Sequence, residues 1–179
     1  MLAVRATFRA LCSQLRDPLE IMRAAEQLLA ADLRAGDHFV TILLAVVDLD
    51  AATITHTSAG HAGYLLHANR EVERLNSHVP PLGTIDIVWN DSHRTVTPLQ
   101  SRDLLCLPTD GVFEAVNQQN TLFGIDRMLE SLHTLRDQPA DEILTRLHDR
   151  VTEFRQGRPQ EDDLTLVLMK YLPASPNGE

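Results

Sequence analysis

The chain has 179 residues, 44% of them hydrophobic, and a formal net charge of −9 from 16 basic and 25 acidic side chains. That length suits one domain with a substantial core, since a chain of this size buries about 70% of the surface it exposes when unfolded. The acidic balance argues against nucleic acid, whose phosphates call for clustered Lys and Arg, and no apolar run approaches the roughly 18 residues of a membrane span.

Met1, Val4, Phe8, Leu11 and Leu15 recur at helical spacing and predict an amphipathic first helix. No Ser, Thr, Asp or Asn precedes it to cap its free amides, so the chain is expected to open in mid-element. Asp17-Pro18-Leu19-Glu20 starts a second helix, with Asp17 as N-cap, Pro18 in the first turn and Glu20 placed to reach back; it is expected to run to about Arg34. Residues 39–47 are nearly all apolar and rich in β-branched side chains, which predicts a central strand covered on both faces. Residues 53–57 follow across a short connection as its antiparallel hairpin partner.

A second hairpin is expected from residues 64–67 and 72–75, then a stiff loop around Pro80-Pro81. Residues 85–96 and 104–107 read as further strands. Ile125, Met128, Leu129, Leu132 and Leu135 mark one late helix; Ile143, Leu144, Leu147, Val151 and Phe154 mark another, opened by Pro139 and stopped at Gly157-Arg158-Pro159. A last strand occupies residues 164–171, and residues 173–179 form a loose tail. Strands gathered between helix pairs and joined as hairpins specify an α+β fold. Cys12 and Cys106 fall inside a helix and a strand and read as buried small hydrophobes, and with no export signal a cytoplasmic address is expected.

The stretch Leu104-Leu105-Cys106-Leu107-Pro108-Thr109-Asp110-Gly111 carries an apolar strand into a carboxylate at its tip. An Asp-Gly pair alone more often just turns the chain. Glu161-Asp162-Asp163, however, places a second acidic cluster immediately before the last strand. Two carboxylate-bearing strand ends suit a hard cation such as Mg²⁺ or Mn²⁺; the plainer reading is solvated acids flanking strands. The histidines lack ligand spacing, and no Gly-x-Ser-x-Gly elbow, P-loop or Gly-x-Gly-x-x-Gly is present.

Taken in order, Phe39-Val40-Thr41, Ser58-Ala59-Gly60-His61, Pro81-Leu82-Gly83, the Thr109-Asp110-Gly111 stretch, Leu122-Phe123-Gly124 and Glu161-Asp162-Asp163-Leu164-Thr165 resemble the SpoIIE/RsbU-type serine phosphatases. These are a bacterial branch of the PPM metal-dependent protein phosphatases. The resemblance spans residues 1–172 and implies an αββα sandwich of two antiparallel sheets flanked by helices. It implies Mn²⁺ or Mg²⁺ as cofactor, two ions in the complete family site, and hydrolysis of a phosphoserine or phosphothreonine protein by an activated water. Asp110 and Asp162 take the metal-ligand positions, Asp163 lies beside them, Gly111 permits the turn, and Thr165 steadies the strand end. Gly60-His61 and Pro81-Leu82-Gly83 are expected to be structural.

Family members carry further aspartates upstream of the first helix, one of them bridging both metals, and no counterpart stands in this sequence. The implied domain is therefore N-terminally incomplete, with weak or absent metal binding and little activity alone. Its sheet edges are expected to invite a homodimer. The resemblance points to an anti-sigma antagonist as the phosphoprotein partner, with neither nucleic acid nor membrane involved. Two other readings stay open: a pseudophosphatase that binds or dimerises without chemistry, and a generic α+β binding module.

Overall fold

A computed structural model describes residues 2–173. Met1 and most of the expected tail, residues 174–179, lie outside the described residues. The fold is α+β, with two antiparallel sheets flanked by helices, and the chain divides into two compact units. Among the described residues no helix is long and apolar enough to cross a membrane.

Unit 1 comprises Met1–Ala62 and Leu75–Leu99. Its helices are α1 (Leu2–Gln14) and α2 (Pro18–Ala35). Asp17 caps α2 as its sequence dictates: the backbone there is extended, and Oδ1 accepts the Leu19 N–H at 2.8 Å. Ile21, Met22, Ala25, Leu29 and Leu33, spaced by three and four, bury one face of α2 beside Phe8, Ala59 and Leu82. Met22 is wholly shielded, and burying a side chain of that size contributes about 1.5–3 kcal/mol.

The sheet of unit 1 runs β1 (Ile42–Asp48), β2 (Thr53–Ala59), β5 (Thr95–Pro98) in that order. Asp48 shapes the β1–β2 turn by accepting the N–H groups of Asp50 and Ala51 at 3.0 and 2.8 Å. Here two expectations fail. The apolar run 39–47 does not form a central strand: β1 is an edge of its sheet, its residues are at best half-buried, and Phe39 is 63% exposed. β-Branched composition selects extended backbone, whereas the number of neighbouring strands depends on distant parts of the chain. Nor do residues 85–96 form one strand. Asn90 accepts the Ser92 N–H at 2.9 Å and caps a 3-10 turn at Asp91–His93, so local side-chain bonding displaces the ladder and extended pairing begins only at Thr95.

The loop that results is stitched to α2 at three points. Arg94 pairs with Asp17, Arg34 with Asp86 at 2.9 Å, and between them Glu26 accepts the Trp89 indole N–H and the Ile87 amide, the latter at 3.2 Å. Exposed ion pairs are worth about 0–1 kcal/mol, so the 7%-exposed Glu26 is the strongest of the three stitches.

Unit 2 comprises Gly63–Arg74 and Gln100–Glu179. Its sheet contains β3 (Gly63–Leu66), β4 (Val72–Leu75), β6 (Leu104–Pro108) and β7 (Leu166–Lys170), ordered β4-β3-β6-β7. β6 pairs antiparallel with both neighbours, Cys106 opposite Tyr64 on one side and Leu168 on the other. The helices are the short α3 (Asp110–Phe113), α4 (Gly124–Leu135) and α5 (Ala140–Arg155). Met128, Leu132 and Leu135 of α4 and Ile143, Leu147 and Val151 of α5 join Leu104 and Cys106 in one apolar core. The lone Lys170 Nζ, at the end of β7, donates to the carbonyls of Arg136 and Gln138 just past α4. Of the two cysteines, Cys106 is buried as expected but Cys12 is exposed, because it falls on the outward face of α1.

Candidate metal centre

The acidic segments meet at the end of β6. Pro108 is the last residue of the β6–β7 ladder, opposite Leu166, and the Thr109 amide continues the contact to the Thr165 carbonyl at 2.9 Å. The Thr109 hydroxyl oxygen accepts the Thr165 N–H at 2.9 Å and lies 3.1 and 3.2 Å from the Asp163 and Thr165 carbonyls, to which it can donate. One side chain thus fastens the two strand ends together. Thr165 takes part in this fastening through its backbone N–H and carbonyl, and the Thr109 hydroxyl is the side chain that meets them.

Asp110 follows as the first residue of α3, with Oδ1 accepting the Gly111 N–H at 3.0 Å. Gly111 has no left-handed backbone, so easing a turn is not its role. A Cβ built there would stand 2.5 Å from the Asp163 carbonyl oxygen and 3.4 Å from that of Asp162. The residue is glycine because the backbone of the 162–163 segment packs directly on it. That contact sets the Asp110 turn and the Asp162-Asp163 pair side by side. Asp162 Oδ1 accepts the Asp163 N–H at 2.7 Å, and all three aspartates are exposed.

These carboxylates are hard oxygen donors, and each of Asp110 and Asp162 spends one oxygen on the adjacent amide, leaving the other for a ligand. Such a pair fits Mg²⁺ or Mn²⁺ that keeps most of its water, since these ions are commonly held by one or two carboxylates. Among the described residues no group of three or more His, Cys, Asp or Glu is arranged around one point to hold a metal ion.

A cleft of about 160 Å³ opens against the same wall, lined by Gly111, Glu114, Arg155, Arg158, Glu161 and Asp162 among others. Arg158 is consumed by structure: Nε and Nη2 donate to Glu161 at 3.2 and 2.9 Å, and Nη1 to Asn120 Oδ1 at 2.7 Å and the Asn117 carbonyl at 3.2 Å. It holds the 117–121 turn beside the cleft. Neither Arg155 nor Arg158 was legible as a site residue, since the first reads in sequence as the basic end of a helix and the second as part of the Gly157-Arg158-Pro159 stop.

Gly60 and Pro81, from the two signatures expected to be structural, pack on each other within unit 1. Gly60 has φ +71°, and a Cβ on it would stand 2.6 Å from Pro81 Cγ. The histidines form no ligand set. His56, 2% exposed, has its ring 4.9 Å from that of His78. The His78 Nδ1 accepts the Ser58 N–H at 3.2 Å while Nε2 meets Thr95 Oγ1 at 2.9 Å. Burial, reinforced by His56 and His93, holds the His78 imidazole down to about 4.

The family model for stage II sporulation protein E, SpoIIE, matches residues 1–172. Among solved structures, the PP2C domain of SiaA from Pseudomonas aeruginosa superposes with a TM-score of 0.82 at 22% identity, covering 94% of this chain and 67% of that one. The PP2C phosphatase domain of Bacillus subtilis SpoIIE with a fragment of its regulatory domain gives 0.75 at 20% identity, over 94% of this chain and 48% of that one. The catalytic domain of the serine/threonine phosphatase PstP, solved with two manganese ions, gives 0.60 at 16% identity, over 92% and 77%. Among curated proteins no sequence matches. Identities this low establish the PP2C-type fold alone.

Proposed function

This chain belongs to the SpoIIE family, and from that premise we propose that it acts in metal-dependent hydrolysis of a phosphoserine or phosphothreonine protein, with Asp110 and Asp162 as metal ligands. The observation that carries the reading is the bare backbone contact of Gly111 on Asp163, which joins two acidic segments 52 positions apart in sequence at one strand end. Bound Mn²⁺ or Mg²⁺ would supply charge neutralisation at the phosphoryl oxygens and an activated water. The chain's own part is to fix the two carboxylates through Thr109 and Gly111, to keep them exposed to solvent, and to present the adjoining cleft to the phosphoprotein. The family resemblance makes an anti-sigma antagonist the proposed substrate.

A set of two carboxylates is smaller than a two-ion clamp requires, so this chain is expected to turn over small phosphoesters slowly or not at all. The same shortfall favours a second reading, in which the chain binds its partner without chemistry. Titration of Mn²⁺ into the 179-residue chain by calorimetry tests the ligand assignment. Micromolar binding that disappears in both Asp110→Asn and Asp162→Asn is expected; binding indifferent to these changes, or none, would overturn it. Metal-dependent turnover that Asp110→Asn abolishes would remove the second reading.

A further inference from the structure

Arg155 closes α5 and lines the cleft that also contains Gly111 and Asp162. Unlike Arg158, its charge is unmatched. Its Nη2 donates to the Arg158 carbonyl at 2.7 Å and its Nη1 reaches the Gln160 amide oxygen at 3.4 Å, both neutral acceptors, and no carboxylate of the described residues pairs with it. The residue is half-buried, and its bond to the Arg158 carbonyl is partly shielded from solvent. The backbone bond fixes the fork from one side and leaves the remaining N–H groups, Nε–H included, for a ligand. A planar fork held this way suits a tetrahedral or planar oxyanion, which it can take bidentately.

Resting on the phosphatase reading above, we propose that Arg155 is the anion-binding residue of the substrate cleft, taking either the phosphoryl group of the phosphoprotein or a carboxylate beside it. The rest of the lining supports selection for one anionic contact. Glu114, Glu161 and Asp162 share the cleft, and Glu161 already neutralises Arg158, so an anion finds one uncommitted cation there and repulsion elsewhere. Arg155 thereby contributes specificity for where the anion sits, separately from whatever the metal contributes at Asp110 and Asp162.

The test uses the full chain in metal-free buffer, so that it stands apart from the metal titration. The probes are three short peptides: a phosphoserine flanked by alanines, its unphosphorylated counterpart, and an unphosphorylated serine flanked by glutamates. Binding is read by NMR from the Arg155 Nε–H resonance, which needs no substitution, and by fluorescence anisotropy of labelled peptides for wild type and Arg155→Gln. The expected result is a shift of that resonance by an anionic peptide but not the neutral one, with affinity weakened about tenfold or more in Arg155→Gln. Response to the phosphopeptide alone assigns the phosphoryl group; response to the glutamate peptide assigns a flanking acid. No response of the resonance to either anionic peptide, or equal affinity in an Arg155→Gln chain that melts like wild type, would overturn the proposal. Loss of metal binding in the calorimetric test would leave this result standing, and the converse holds too.

Discussion

The inner strands of the two sheets are buried to similar depth but with opposite chemistry. In unit 2, β6 hides Leu104, Leu105 and Cys106, each 4% exposed or less; in unit 1, β2 hides His56, Thr57 and Ser58, each 2% or less. The apolar strand needs no specific partners beyond its ladder, and burial pushes the Cys106 thiol up to about 12, so nothing on it titrates near neutrality. The polar strand instead depends on named partners, such as the Ser58 amide on His78 and the Ser58 hydroxyl on the Ile42 carbonyl at 3.1 Å. A dry strand positions its end rigidly, and the acidic pair stands at such an end. A polar strand gains specificity and exposes its unit to pH.

The contrast breaks first at Gly111. In Gly111→Val the new side chain must displace the 162–163 backbone, and overpacking of this kind costs about 3 kcal/mol. Thermal unfolding should show that loss together with Mn²⁺ binding; a variant that melts and binds like wild type would mean the two acidic segments do not need this contact. Next comes Glu26→Ala in unit 1, which strands the Trp89 indole and the Ile87 amide and is expected to cost about 2 kcal/mol. Trp89 is the chain's one tryptophan, so a red-shifted emission should accompany the loss, with Mn²⁺ affinity unchanged.

The smallest effect is the pH slope. Above about 6.5 His78 is neutral folded or unfolded; between 6.5 and about 4 only the unfolded chain takes up its proton, so stability falls across that window and levels off below it. His133 in unit 2 is also held low, by burial and by Arg136 and Arg70, and acts in the same direction. Comparing His78→Gln with wild type isolates the unit 1 share. A flatter slope in the variant is expected, and an identical slope would remove the distinction between the two inner strands.

The features legible in the sequence were those whose causes are local. Asp17-Pro18 caps α2, the three-and-four spacing marks the buried faces of α4 and α5, and an apolar run ending in Asp-Gly gives β6 and its tip. Features set by distant partners were not. Residues 85–96 alternate enough to pass for a strand, but Glu26, some 60 positions away, takes the amide of Ile87 and the indole of Trp89. The apolar content of β1 says nothing about having a single ladder neighbour. At the site, the motif order supplied Asp110 and Asp162, whereas Thr109 as the fastener and Arg155 as the unmatched cation emerge only once β7 and the end of α5 lie beside α3 in space.

Lys170 carries the only lysine side chain in the sequence, and its ammonium donates to two carbonyls, of Arg136 and Gln138, just past α4. Acylation of lysine, whether by a reagent or by a modifying enzyme, therefore has a single side-chain address on this chain. To reach it, the reagent must first withdraw the amine from that helix end, and the product amide, stripped of charge, returns there as a poorer cap. Acylation of the Lys170 side chain is thus inseparable from loosening the segment that follows α4.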